Sequence, residues 1–188
     1  MLIRRNDASL QLISANLRAG RIVAMKSDTI YGLVGRAPDT DLQIRRIKGR
    51  KPGKPFLQLI PNVDALENLG IILPSSSILN LWPGPFTIIF KTSAGETASF
   101  RVPKDEYTQG LISELGFNLY STSVNRNGEA PINDPVEIER AFGSVISLVE
   151  DSGAPAARRP STVVDVTVWP HRIVRQGAGI VPKEYLKY

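Results

Sequence analysis

The 188 residues suffice for one well-buried core and are short for two, and 23 Lys and Arg against 18 Asp and Glu leave a formal net charge of +5. With no cysteine and one histidine, His171, the chain lacks the means for a disulfide, a thiolate metal site or a cysteine nucleophile, and a His-rich zinc site or a Ser-His-Asp triad is disfavoured. No run approaches the ~18 apolar residues that cross a bilayer, and the opening MLIRRNDASL carries no secretory apolar core, so the sequence predicts a cytoplasmic protein without membrane contact.

Residues 7–19 are predicted helical, with Leu10, Ile13 and Leu17 at helical spacing and Gly20 as the stop. RIVAM is a short buried strand, followed by the polar turn KSDT. Thr40 and Gln43 have the spacing of a capping box, opening a helix with Leu42, Ile44 and Ile47 on a partly apolar face. FLQLI is a predicted strand and NVDALENLG a short helix. After the punctuation of WPGP, FTIIFK reads as a strand, and TASFRVP alternates enough to pair with it antiparallel. Residues 104–115 are predicted helical, NLYST extended, DPVEIERAFG helical, and VISLVED, STVVDV and HRIVRQG three further strands. Helices and strands interleave, yet some strands adjoin without a helix between them. The expectation is one α/β domain (α+β in some schemes) over residues 1–188, built on a mixed sheet.

The polar residues cluster at strand ends, where α/β sheets hold their ligands. KSDTIYGL places Ser27, Asp28 and Thr29 just after a buried strand, with Tyr31 and Gly32 behind them; the plain alternative is an Asx or Ser turn. STSVNRNG offers three hydroxyls and two asparagines in eight residues, suited to an anion nest or to a polar connector. RRPSTVVD and IVRQG add Ser161 and Arg175. In RRIKGRKPGKPF, six cations fall within ten residues (Arg45, Arg46, Lys48, Arg50, Lys51, Lys54). Such a cluster could be a nucleic-acid footprint, a phosphate pocket or a solvated loop. Arg101 lies inside the apolar SFRVP and, if buried, needs an anionic partner, from the protein or from a ligand. Neither a GxxxxGK[ST] loop nor a GxGxxG turn is present, so any nucleotide is held by another scaffold.

In this order, KSDTIYGL, KGRKPGKPF, WPGPFT, FRVP, STSVNRNG, EDSG, STVVD and RQG resemble the motifs of the YrdC family, the threonylcarbamoyl-AMP synthases, from about residue 22 to 177. The resemblance implies a YrdC/RibB-like fold with a twisted mixed parallel and antiparallel sheet flanked by helices. It implies a nucleotidyltransferase that makes threonylcarbamoyl-adenylate and pyrophosphate from ATP, L-threonine and bicarbonate. The product would serve tRNA modification next to the anticodon through downstream threonylcarbamoyl-transfer proteins. Carried over motif by motif, Lys48 and Arg50 would be catalytic, and Lys48, Arg50, Lys54, Thr97, Ser123, Asn125 and Arg175 would bind ATP. Thr29, Tyr31, Arg101, Ser121 and Ser161 would bind L-threonine, with Arg101 on its carboxylate. Mg²⁺ is expected to arrive with ATP, without a dedicated protein metal site.

Five positions depart from the family pattern: Lys26, Ser27, Leu59, Val124 and Asn127. They raise the alternative of a divergent paralogue with another acyl acceptor. A second alternative is an RNA-binding or ribosome-maturation factor, or a weak tRNA contact, using the cationic cluster. RNA-binding patches usually carry exposed aromatics, and the lone aromatic nearby, Phe56, opens the core-like run FLQLI.

Overall fold

A computed structural model describes residues 1–53, 55–74, 77–155 and 159–186. Its strands are β1 (Leu2–Arg4), β2 (Val23–Lys26), β3 (Tyr31–Arg36), β4 (Leu57–Leu59), β5 (Ile71–Ile72), β6 (Phe86–Thr92), β7 (Thr97–Arg101), β8 (Leu119–Ser123), β9 (Leu148–Asp151), β10 (Thr162–Asp165) and β11 (Arg172–Arg175). The α-helices are α1 (Asp7–Arg18), α2 (Asp41–Lys48), α3 (Glu106–Leu115) and α4 (Pro135–Phe142). The segments Asp64–Leu69, Ser77–Leu81 and Lys183–Tyr185 form 3₁₀ turns, the first where the sequence predicts a short helix.

All the strands join one sheet in the order β1-β9-β2-β3-β8-β4-β7-β6-β10-β11, with β5 on β6. The pairs β1–β9, β2–β9, β4–β7 and β6–β10 are parallel, and the remainder antiparallel. This is the expected twisted mixed sheet flanked by helices. None of the described helices is long and apolar enough to cross a membrane.

Because successive side chains alternate across a strand, each half of the sheet has two different faces. On one face α1 and α3 cover Val23, Met25, Val34, Leu59, Leu119 and Leu148. On the other, α2 and α4 cover Ala24, Tyr31, Leu33 and Val149, and the segments carrying Leu66, Ile78 and Trp82 cover Ile88, Phe90 and Phe100. The face under α1 and α3 continues past those helices onto β8, β4, β7, β6 and β10. There it bears Ser121 and Ser123, Leu57, Ser99 and Arg101, Thr87 and Ile89, and Val163, placed side by side by the register. That stretch is the floor of a cleft.

Several expectations are corrected. Tyr31–Arg36 is a strand where the sequence pattern predicts no element: YGLVGR does not alternate because its residues are buried on both faces. Thr40 is the N-cap of α2 but makes no capping box, since its Oγ1 donates to the Arg36 carbonyl at 2.8 Å. Leu42 is 68% exposed and leaves Ile44 and Ile47 to bury the helix. The strand predicted from VISLVED begins only at Leu148.

Candidate active site

The cleft has a volume of about 300 Å³ and its walls come from five of the polar stretches. Ser27 and Thr29 stand in the turn after β2, Arg50 and Pro55 in the cationic loop, and Ser121, Thr122 and Ser123 on β8. Pro160 and Ser161 precede β10, and Arg175 ends β11. Thr87, Ile89, Ser99 and Arg101 come from the β6–β7 hairpin. Gly32 allows the close approach of β3 to β8, for a Cβ on it would stand 2.8 Å from Ser121 Oγ.

Arg101 is 3% exposed and is already partnered within the protein. Its Nε donates to the Gly84 carbonyl at 3.0 Å, one Nη to Thr29 Oγ1 at 2.9 Å, and the other Nη to Asp28 Oδ1 at 2.5 Å. Burial pushes its pKa down, and the Asp28 carboxylate pulls it back up. The arginine thus has its counter-charge before any ligand arrives, and of the two partners the sequence left open the protein supplies one, Asp28. A guanidinium carries five N–H donors, so three bonds leave donors for a ligand in the cleft it lines. Asp28 Oδ2, by contrast, is buried with no hydrogen-bond partner.

Arg175 folds its guanidinium back onto the Ser161 carbonyl, at 3.2 Å from Nε and 2.8 Å from Nη. Ser161 Oγ is 2.7 Å from Thr87 Oγ1. Burial first, and the nearby Arg101 second, lower the Arg175 pKa. Arg50 stacks over the Phe56 ring with Cζ 4.8 Å from its centroid, and burial and Arg45 lower its pKa in turn. Three guanidiniums, Arg50, Arg101 and Arg175, therefore border one small cleft. The field within it favours anions.

Lys48 is placed elsewhere. Its Nζ donates to the carbonyls of Ser123 and Asn125 at 2.6 and 3.0 Å and to Asn125 Oδ1 at 2.7 Å. An ammonium has three donors, and these three acceptors account for them. Asn125 Oδ1 also accepts from Ser123 Oγ, and its Nδ2 donates to the Glu129 carbonyl. The last carbonyls of α2 join the same clasp, Ile47 accepting from Arg126 and Lys48 from the Asn127 amide. Gly49, at φ 64°, then reverses the chain toward Arg50. Burial, followed by the charge of Arg50, pushes Lys48 down to about 8. Lys48 and Asn125 thus tie the end of α2 to the loop after β8 and do not line the cleft.

The other expected residues divide as follows. Thr29, Arg50, Arg101, Ser121, Ser123, Ser161 and Arg175 come together around the cleft. Thr97 shares the β7 face with Ser99 and Arg101 but is exposed at the hairpin end, outside the cleft. Tyr31 reaches the cleft wall only from a fully buried position. Its hydroxyl donates to the Gly153 carbonyl at 3.1 Å and accepts from the Ser152 amide at 3.1 Å. Lys54 lies outside the described residues. Thr87, Ser99 and Thr122 line the cleft without having been singled out from the sequence; alternation with the inward Ile88 and Phe100 was the available signal for the first two. The cationic cluster is not one exposed patch, since Arg45 and Lys48 are buried, at 8% and 4% exposure, and Arg45 pairs with Asp41. Of the five departures only Ser27 lines the cleft. Lys26 Nζ donates to the Ser152 carbonyl at 2.7 Å, and Leu59 and Val124 are core residues.

A mixed sheet whose uncovered face carries Arg101 and small hydroxyls, bordered by Arg50 from a loop and Arg175 from β11, defines an α/β protein with one cationic cleft. Residues 15–177 match the Sua5/YciO/YrdC family, described as telomere recombination, and the chain belongs to that family. It is 26% identical over 189 residues to the threonylcarbamoyl-AMP synthase of Pyrococcus abyssi, covering 93% of this chain and 55% of that protein. It is 30% identical over 167 residues to the threonylcarbamoyl-AMP synthase of Chromohalobacter salexigens, covering 81% and 89%. The crystal structure of P. abyssi Sua5 complexed with L-threonine superposes with a TM-score of 0.85 at 24% identity, over 94% of this chain and 57% of that one. The chain thus spans little more than half the length of the P. abyssi protein.

Proposed function

We propose that this protein condenses ATP, L-threonine and bicarbonate into threonylcarbamoyl-adenylate and pyrophosphate. The observation that carries the reading is the convergence of Arg50, Arg101 and Arg175 with Ser121, Ser123 and Ser161 on one cleft. The relatives named as threonylcarbamoyl-AMP synthases, and the L-threonine complex of the P. abyssi protein, support it.

In this reading the threonine amine and bicarbonate give an N-carboxylate and water, and a carboxylate oxygen attacks the α-phosphorus of ATP, expelling pyrophosphate. The protein supplies position and charge, with no side-chain nucleophile. Arg101 takes the threonine carboxylate on the donors it does not spend on Asp28, Thr29 and Gly84, in a geometry that suits carboxylates. Arg50 and Arg175 face the phosphates. Lys48 acts indirectly, by holding Ser123 and Asn125 in place. Mg²⁺ would come with ATP and neutralise charge on its phosphates; among the described residues no three His, Cys, Asp or Glu group together, and Asp28 is engaged by Arg101. The product is a reactive mixed anhydride, so an acyl transfer to a nucleophile on tRNA, carried out with partner proteins in the cytoplasm, follows.

Pyrophosphate release measured with each substrate omitted in turn tests the proposal. Release should require ATP, L-threonine and bicarbonate together. Release that persists in carbonate-depleted buffer means simple aminoacyl adenylation, and the proposed chemistry falls.

A further inference from the structure

Beside the cleft, on the same sheet face, lies a buried ion pair to which the proposed reaction gives no part. Glu150 on β9 is fully buried. Arg5 grips it with both edges of its fork, Nε to Oε1 at 2.7 Å and Nη to Oε2 at 3.0 Å. The same Nη also donates to the Lys26 carbonyl, while the Lys26 amide donates to Glu150 Oε2 at 3.2 Å. Arg5 is itself fixed from the other side, by Asp105 at 3.2 Å and by the Tyr107 ring, 4.3 Å from Cζ to centroid.

Both backbone polar groups at the last residue of β2 are therefore held by one side-chain pair. The next three residues are Ser27, Asp28 and Thr29, the turn that gives Arg101 two of its three partners. Asp105, four residues after Arg101, closes the ring by meeting Arg5. A surface ion pair would contribute little here, but a bidentate one whose carboxylate is fully buried is confined to one low-energy geometry.

We infer that the Arg5–Glu150 pair is the positioning device of the cleft: it fixes where the 27–29 turn leaves β2 and, through Asp28 and Thr29, where the Arg101 guanidinium points. Arg5 and Glu150 touch no ligand in this arrangement. They act through the backbone of Lys26. The inference rests on the proposed function only in taking Arg101 as the ligand-facing arginine.

The test separates positioning from bulk stability. Arg5→Lys keeps the charge opposite Glu150 but loses the planar fork that reaches Glu150 and the Lys26 carbonyl together. Rotation of the Arg101 Nη groups, followed by ¹⁵N NMR in the ligand-free protein, reports the Asp28 and Thr29 contacts. Exchange of the Ile44 backbone amide, which donates to the Thr40 carbonyl at 3.0 Å in the core on the opposite face of the sheet, reports global stability. With Arg5→Lys, the Arg101 rotation should accelerate by about tenfold and the Ile44 exchange by less than about threefold, as expected for the loss of a charge-assisted hydrogen bond at one site. Unchanged rotation, or both rates rising in step, overturns the inference. The double variant Arg5→Met/Glu150→Met removes the charges as a pair, which spares stability, and should leave the rotation fast even so. Threonine titration on the same proteins keeps the two proposals apart. Loss of affinity is expected in the variants, whereas a wild-type protein that binds no threonine counts against the proposed function and leaves the rotation result standing.

Discussion

Arg101 and Asp28 form a buried ion pair in which only one carboxylate oxygen is used: Oδ1 meets the guanidinium at 2.5 Å, and Oδ2 is buried with no hydrogen-bond partner. The pair gives Arg101 a structural role beside the ligand-binding role proposed for it. Arg101→Lys should both lower the melting temperature and weaken threonine binding. One ammonium cannot serve Gly84, Thr29, Asp28 and a ligand carboxylate in the directions a guanidinium does. Losing one charge-assisted bond, about 1.5–3 kcal/mol, corresponds to a roughly 10- to 150-fold weaker threonine affinity, with ATP affinity close to unchanged. Asp28→Asn strands a buried guanidinium and should cost about 3–5 kcal/mol in urea unfolding. Unaltered threonine affinity in a destabilised Arg101→Lys would remove Arg101 from the amino-acid site.

Arg50 and Arg46 lie four residues apart and should differ widely. Arg50 lines the cleft, stacked on Phe56, whereas Arg46 is exposed on α2. Arg50→Ala should weaken ATP binding by the ~1.5–3 kcal/mol of a charge-assisted bond to phosphate. Arg46→Ala should stay within the ~0–1 kcal/mol of an exposed charge. Equal losses in calorimetric titration would mean a diffuse cationic surface and favour an RNA footprint.

Gly32 offers a steric test of the cleft floor. An added Cβ would lie 2.8 Å from Ser121 Oγ and 3.3 Å from the Thr122 carbonyl, on the central pair β3–β8. Gly32→Ala should displace Ser121 and lower substrate affinity, while far-ultraviolet circular dichroism stays as in the wild type. Gly95→Ala, at a hairpin glycine with open space around it, provides the control for a strained glycine away from the cleft. Equal activity loss in both would mean that crowding at Ser121 is not the cause.

Local patterns made α1 legible, because Ile13 and Leu17 repeat at helical spacing and Gly20 adopts φ 69° just past the end. They failed for β3, whose two-sided burial and two glycines erase the alternation that marks a half-exposed strand. The cleft was legible as a set of motifs, since each polar stretch follows or precedes an apolar strand. What spacing could not reveal is direction. Lys48 and Arg50 are two residues apart, yet the end of α2 turns the lysine under the β8 loop and, past Gly49, the arginine into the cleft. Nor could the sequence show that Asp28 meets Arg101, 73 residues away, because that contact depends on the order in which the strands pair.

Lys48 makes this distinction measurable through pH. Burial and Arg50 bring its pKa to about 8, against an ordinary 10.5. Below pH 8 the lysine is charged in both the folded and the unfolded chain, and the penalty for burying that charge is fully present. Between pH 8 and 10.5 the unfolded chain holds a proton that the folded chain has released. Unfolding then takes up a proton, so the stability contributed by Lys48 rises with pH across that window. Lys48→Met takes the lysine donor from the Ser123 and Asn125 carbonyls and from Asn125 Oδ1, which keeps only its bond from Ser123 Oγ, and removes the titration. The stability difference, wild type minus Lys48→Met, should therefore increase from pH 8 to pH 10 by an amount on the order of 2–3 kcal/mol, at 1.36 kcal/mol per pKa unit. Urea unfolding at three pH values measures it, and a Lys48 Cε resonance titrating near pH 8 should accompany it. A difference that stays flat with pH would show that the three oxygens around Nζ hold the ammonium charged up to the ordinary lysine range, against the pull of burial.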